Sequence, residues 1–176
     1  FIVTEPDSLQ AIITDTTDAV CSYSANGQAI VTPIGGTALY SYDWYDVAGG
    51  DNDSVASGII PGTYHVEVKD FNGCIDTGEV VINSPAALNL VPDSIVSTCS
   101  GICTGSAIVI PSGGVTPYLY NWYNAGNQTN DTASNLCAGF YDVEVTDING
   151  CIDTLEVEVT EPVTIIASAV DSSAVT

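Results

Sequence analysis

Apolar and polar residues alternate along the best-patterned stretches of this chain. Tyr64, Val66 and Val68 alternate with His65, Glu67 and Lys69, and Tyr141, Val143 and Val145 alternate with Asp142, Glu144 and Thr146. Successive strand side chains point to opposite faces, so each run predicts a strand with one buried face. No segment sustains apolar residues at i, i+3, i+4 and i+7, which argues against helix. In the first half, strands are predicted at Leu9–Thr14, Gln28–Ile34, Tyr40–Asp46, Ser54–Ser57, Thr63–Lys69 and Asp76–Ile82. Gly, Pro, Asn and Asp punctuate them as turn residues do. Asn72-Gly73 and Asn149-Gly150 predict tight hairpins with left-handed central residues.

The pattern occurs twice. Cys21 to Pro85 aligns with Cys99 to Pro162: Gly35-Gly36 matches Gly113-Gly114, Tyr40-x-Tyr42-x-Trp44-Tyr45 matches Tyr118-x-Tyr120-x-Trp122-Tyr123, and the Asp70 to Thr77 stretch matches Asp147 to Thr154. Thr4-Glu5-Pro6 repeats Thr160-Glu161-Pro162, and Val163 to Thr176 resembles Ala86 to Ser97. The expected division is therefore a last strand of a preceding repeat (1–6), a first repeat (7–85), a second (86–162), and a first strand of a following repeat (163–176). On this reading the chain is a window on a longer array, or a subunit that lends a terminal strand to a neighbour. Six or seven short antiparallel strands per repeat predict an all-β fold of tandem immunoglobulin-like sandwiches. Trp44 and Trp122 are expected in the core between sheets, and Tyr64 and Tyr141 where a tyrosine corner falls.

Six cysteines in a chain of this size point to disulfides and an oxidising compartment. The simplest pairing keeps the bonds within repeats, Cys21–Cys74 and Cys99–Cys151. Cys103 and Cys137 occur together in one repeat and are both missing from the other, as expected if they bond each other. A zinc site is the competing reading of Cys99-x3-Cys103, but the first repeat keeps only half the set and no His joins it.

Charge narrows the function. Asp and Glu number 22 against one basic side chain, Lys69, for a net charge of −21. That leaves no surface for phosphate and argues against nucleic acid and against an anionic membrane. Because 45% of the residues are hydrophobic, the acidity does not imply disorder. No run reaches the roughly 18 apolar residues of a membrane span.

The Gly-Gly-x-x-Pro-Tyr-x-Tyr-x-Trp stretch and the Leu-x-Ala-Gly-x-Tyr-x-Val-x-Val-x-Asp-x-Asn-Gly-Cys stretch resemble the SprB repeat. The second repeat carries Gly113, Gly114, Pro117, Tyr118, Tyr120, Trp122, Leu136, Ala138, Gly139, Tyr141, Asp147, Asn149, Gly150 and Cys151; the first departs at Leu39 and Pro61. The resemblance implies a segment of a very long surface protein of gliding and marine Bacteroidota, exported by the type IX secretion system. Such proteins act as adhesins or surface filaments, with gliding motility among their roles. The partners it implies are neighbouring repeats, further copies in a filament, and surface or glycan ligands. The alternative is a carbohydrate-binding module of a secreted protein.

Other candidate chemistry is sparse, and no enzyme is expected. His65 is the only imidazole, and it lies on a polar strand face without a Ser or Cys partner. Glu67 and Glu144, like Asp70 and Asp147, recur by repeat, which suits solubility or structure better than glycosidase chemistry. No cofactor is expected. The best calcium candidate, and a weak one, is Asp46 with Asp51 and Asp53. Asp70-x-Asn72-Gly73 begins like an EF-hand loop but runs straight into a strand. Tyr45 and Tyr123 point away from the core pattern and are the candidates for stacking on sugar. Asp-Ser/Thr-apolar triplets at Ser8, Ser54, Ser94, Thr132 and Thr154 look like the O-glycosylation acceptor of Bacteroidota.

Overall fold

Twelve β-strands and no helix make up the residues that the computed structural model describes, 5–47 and 52–163. The first six are β1 (Gln10–Thr17), β2 (Gly27–Ile34), β3 (Ser41–Asp43), β4 (Val55–Ile59), β5 (Gly62–Lys69) and β6 (Ile75–Ile82). The second six repeat them as β7 (Asn89–Val96), β8 (Gly105–Ser112), β9 (Leu119–Trp122), β10 (Thr132–Leu136), β11 (Gly139–Thr146) and β12 (Ile152–Val159). Each set forms two three-stranded sheets, ordered β1-β2-β4 and β3-β5-β6, then β7-β8-β10 and β9-β11-β12. Every pairing between these strands is antiparallel. This is an immunoglobulin-like sandwich, present twice. The described residues fall into two compact units, one taking in those up to Leu88 with Gly113–Thr116 and Ile148–Cys151, and the other Asn89–Ser112, Pro117–Asp147 and those from Ile152 onward.

Alternation builds the core. In the first unit Ala29, Val31, Ala56 and Ile59 from one sheet meet Val66, Val68, Val80 and Ile82 from the other, with Trp44 fully buried among them. In the second, Trp122 is fully buried, as are Ala107, Val109, Ala133, Val143 and Val145. Each buried Val or Ile contributes about 1.5–3 kcal/mol relative to exposure. Both indoles also satisfy their one donor: Trp44 Nε1 donates to the Asp53 carbonyl at 3.1 Å, and Trp122 Nε1 to the Asn130 carbonyl at 3.0 Å. Pro33 lies on the central strand β2, but β4 pairs only with Gly27–Ile30, so the proline sits where one side of the strand is open.

Two local expectations change. The third strand is three residues, Ser41–Asp43, because the chain turns at Trp44, where the Val47 N–H donates back to the Trp44 carbonyl. The β5–β6 connection is a wider turn than a two-residue hairpin. Gly73 alone takes a positive φ (+88°), its N–H donates to the Asp70 carbonyl, and the strands close at the Lys69–Ile75 pair.

The cysteine pairing is a larger correction. Cys21 is bonded to Cys151, and Cys103 to Cys137, while Cys74 and Cys99 are free thiols. The Cys21–Cys74 bond is ruled out by the direction of β6. Cys74 immediately precedes β6, whereas Cys21 lies near its far end, where the Ala19 N–H donates to the Asn83 carbonyl. Eight strand residues separate the two ends by roughly 25 Å, and a disulfide needs Cα atoms within about 7 Å. Cys99 and Cys151 are separated in the same way by β12, since the Thr98 N–H donates to the Thr160 carbonyl beyond that strand's far end.

Candidate functional site

The loop ends of each sandwich hold the recurring polar residues. Asp70 closes the β5–β6 turn although it is only 5% exposed. Its carboxylate accepts the backbone N–H of Thr37 at 2.9 Å and that of Cys74 at 2.8 Å. The Thr37 bond, then those from Cys74 and Asn72, hold its pKa below the ordinary carboxylate value against the opposing effect of burial. The Phe71 N–H donates to the Thr37 carbonyl, and Asn72 Nδ2 donates to Thr37 Oγ1, so the two loops are tied together. Asp147, its counterpart, is 2% exposed, and there the Ile148 N–H donates to the Val115 carbonyl. The EF-hand-like spacing thus builds a loop clamp.

Gly35 explains the Gly-Gly pair. It has φ +70°, and a Cβ there would collide with the Ser8 carbonyl oxygen; Gly113, at φ +71°, would collide likewise with that of Ala87. The adjoining N–H groups of Gly36 and Gly114 donate to the carbonyls of Asp7 and Ala86 at 2.7 and 2.8 Å. Only glycine allows this approach.

The polar strand face carries the one histidine. His65 Nδ1 lies 2.5 Å from Asp46 Oδ2 and Nε2 lies 3.2 Å from Glu79 Oε2, while its backbone N–H donates to the same Asp46 oxygen at 3.0 Å. Tyr45 stacks on the imidazole, with centroids 5.8 Å apart and an interplanar angle of 10°. The hydrogen bond that His65 donates to Asp46 raises the His65 pKa most, against the opposing effect of burial, and the charge of Asp46 and the bond to Glu79 add to it. Among the described residues no Ser or Cys joins this cluster, which is an imidazole held between two carboxylates under a stacked tyrosine ring.

Of the calcium candidates, Asp46 is committed to His65, and Asp53 accepts both the N–H and the Oγ–H of Ser54. Asp51 lies outside the described residues. Among the described residues no group of three or more His, Cys, Asp or Glu is placed to hold a metal ion.

Tyr64 and Tyr141 are buried, and each hydroxyl donates to a carbonyl four residues upstream, that of Ile60 at 2.7 Å and that of Cys137 at 3.1 Å. This is the geometry of a tyrosine corner. Tyr45 and Tyr123 are about half exposed, but Tyr45 covers His65, and Tyr123 hydrogen-bonds to Glu144, which raises its pKa. A different aromatic pair lines an open cleft of about 600 Å³: Tyr118 and Tyr120, with Asn130, Asp131 and Ser134. Burial, then the charge of Asp131, raises the Tyr120 pKa.

Ser8, Ser94 and Thr154 are exposed, whereas Ser54 and Thr132 are half-buried. Several of the Asp-Ser/Thr pairs have a local use. Asp53 accepts the N–H of Ser54 at 2.7 Å, Asp153 that of Thr154 at 2.9 Å, and Asp131 the hydroxyl of Thr132 at 2.9 Å.

Asp76 and Asp153 have a role that nothing in the spacing around them announces. Asp76 Oδ2 accepts the Ala11 N–H at 2.7 Å and Asp153 Oδ2 that of Leu90 at 2.9 Å, so in each sandwich one carboxylate ties the last strand of one sheet to the first strand of the other. The available signal was an Asp at the same place on a strand in both repeats.

The fold defines the class, a tandem immunoglobulin-like β-sandwich protein with disulfides. Within it, the SprB repeat family matches residues 13–49, so this segment is similar to a SprB repeat. No curated protein matches the chain. Among solved structures the chain is similar to a Dscam isoform-specificity structure (11% identity, TM-score 0.37, 90% of this chain and 47% of that one), so it spans about half of that relative. It is also similar to DIP-gamma IG1+IG2 (9%, TM-score 0.41, 88% and 97%). A third is the C-terminal 282-residue fragment of intimin in complex with the intimin-binding domain of its translocated receptor (12%, TM-score 0.42, 85% and 64%). Among the described residues no helix is long and apolar enough to cross a membrane.

Proposed function

We propose that this chain is a structural repeat segment of a long extracellular adhesin or surface filament, a stalk that extends reach from the cell. The observation that carries this reading is the SprB match at residues 13–49 on a sandwich that the chain then builds a second time. Each unit resists unfolding through paired strands and a closed core, and no catalytic group takes part. Export through the type IX system, adhesion and gliding motility belong to the same reading, as does O-glycosylation at the exposed Ser8, Ser94 and Thr154 and the half-buried Ser54 and Thr132. The test is antibody raised against this segment and applied to intact cells, with protease shaving as a control. Surface labelling that shaving removes supports the stalk, and label found only in lysed cells overturns it.

The cleft beside Tyr118 and Tyr120 favours a second reading, a carbohydrate-binding module, since it joins aromatic faces to amide, hydroxyl and carboxylate groups. Glycan-array binding by the chain, lost in Tyr120→Ala, would support it, whereas an array without signal removes it.

A further inference from the structure

Two cysteine positions recur in each repeat, one in the loop after the first strand (Cys21, Cys99) and one after the Asn-Gly turn (Cys74, Cys151). The bond that forms joins unlike positions from different sequence repeats, Cys21 and Cys151, with Cα atoms 5.7 Å apart; both residues fall in the first compact unit. Both are buried, at 4% and 2% exposure. Beside them Asn149 Nδ2 donates to the Val20 carbonyl at 3.2 Å. What remains is one of each position, Cys99 and Cys74, both exposed and both thiols. Their neighbours are the equivalents of that contact, Thr98 before Cys99 and Asn72 before Cys74. Cys74 also borders an open cleft of about 670 Å³ lined by Glu5, Pro6, Asp7 and Asn72.

We infer that Cys99 of one copy of this chain bonds to Cys74 of the next, carrying the Cys21–Cys151 linkage on as a head-to-tail series of disulfides. The contact is heterologous: it uses two different positions, so it leaves one of each free after every addition and does not close on itself as a symmetric dimer does. The length of β6 and of β12 keeps the two recurring cysteines of one repeat from bonding to each other, and Cys103 and Cys137 are bonded together, so the matching partner of each thiol lies in another repeat. The inference rests on the repeat and on the observed bond, and does not depend on the adhesive role.

The oxidant is a small-molecule disulfide such as oxidised glutathione. The Cys99 thiolate attacks it and expels one glutathione thiolate. The Cys74 thiolate of the next copy then attacks the Cys99 sulfur of the mixed disulfide, forming the new S–S bond and releasing the second glutathione. Each cysteine gives up one proton and one electron, and the oxidant is reduced to two thiols.

The experiment oxidises the full chain with glutathione disulfide, resolves it on a non-reducing gel, and maps the linked peptides by mass spectrometry. The expected result is a ladder of oligomers that collapses on reduction, with a Cys99–Cys74 peptide beside the Cys21–Cys151 and Cys103–Cys137 peptides. Cys74→Ser and Cys99→Ser each lose the ladder. Mixed together they form the Cys99–Cys74 heterodimer in excess over either homodimer. A chain that stays monomeric with both thiols alkylatable overturns the inference. So do Cys21–Cys74 or Cys99–Cys151 peptides, or homodimers that match the heterodimer in yield.

Discussion

Asp46 grips His65 twice with one oxygen, at the backbone N–H (3.0 Å) and at the ring Nδ1 (2.5 Å). In the second repeat the same two positions hold Asn124 and Asp142, and the polarity is reversed: Asn124 Nδ2 donates to Asp142 Oδ2 at 3.3 Å. The contact persists while its chemistry changes, which marks it as a brace between the third-strand turn and the neighbouring strand. Because Asp46 raises the His65 pKa, the pair's contribution is fully present below about pH 6.5 and is lost as the pH climbs through the raised folded value. An NMR titration of the His65 ring is expected to give a midpoint above 6.5, and Asp46→Asn to lower it. A wild-type midpoint at or below 6.5 would contradict the brace.

Asp70 works in the opposite direction. Its lowered pKa makes its contribution present above about pH 3.9 and lost as the pH falls through the folded value. Acid unfolding followed by tryptophan fluorescence is expected to begin below pH 3.9, and Asp70→Asn to flatten that pH dependence. An unchanged acid profile in the variant would show that Asp70 contributes nothing to it.

Glycine substitutions separate backbone strain from collision. Gly150→Ala meets a positive φ but no neighbour within 4 Å, so it is expected to cost about 1–2 kcal/mol. Gly35→Ala adds a clash with the Ser8 carbonyl and is expected to cost distinctly more. Urea denaturation of the two variants measures the difference, and equal costs would show that the loop shifts freely.

Tyrosine hydroxyls give a smaller effect. Tyr64→Phe and Tyr141→Phe each remove one hydrogen bond to a carbonyl and are expected to cost about 0.5–1.5 kcal/mol. Asp76→Ala leaves the Ala11 N–H without its partner between sheets and is expected to cost about 1–3 kcal/mol. Thermal melts are expected to place the Asp76 variant below the two tyrosine variants.

Removing the Cys103–Cys137 bond with a double Ser variant frees a loop spanning 34 residues of sequence. The chain-entropy model gives about 4 kcal/mol for a loop of that length. Its loss is expected to lower the unfolding midpoint in urea, and an unchanged midpoint would show that the bond carries no stability.

Much of the fold is legible in the residues because alternation, turn chemistry and repetition are local properties. Tyr64, Val66 and Val68 mark β5 by spacing alone, and Gly35-Gly36 marks a turn by residue type alone. The third strand is shorter because the chain turns at Trp44, where the Val47 N–H donates back to the Trp44 carbonyl, and spacing does not record such a bond. Asp76 looks like any polar strand residue until Ala11 of the facing sheet is placed opposite it. The Tyr118–Tyr120 cleft likewise depends on Asn130 and Asp131, which only the fold brings alongside.

The cysteines draw the line between the two kinds of knowledge most sharply. By itself the sequence determined that two units repeat, that their cores form on alternating residues around Trp44 and Trp122, and that two cysteine positions recur in each unit. Counting then favoured bonds within each repeat. The tertiary structure decided otherwise, because β6 and β12 hold the two cysteines of a repeat at opposite strand ends, roughly 25 Å apart. A disulfide is a short-range bond, and which thiols come within its reach is a property of strand direction, which no residue count contains.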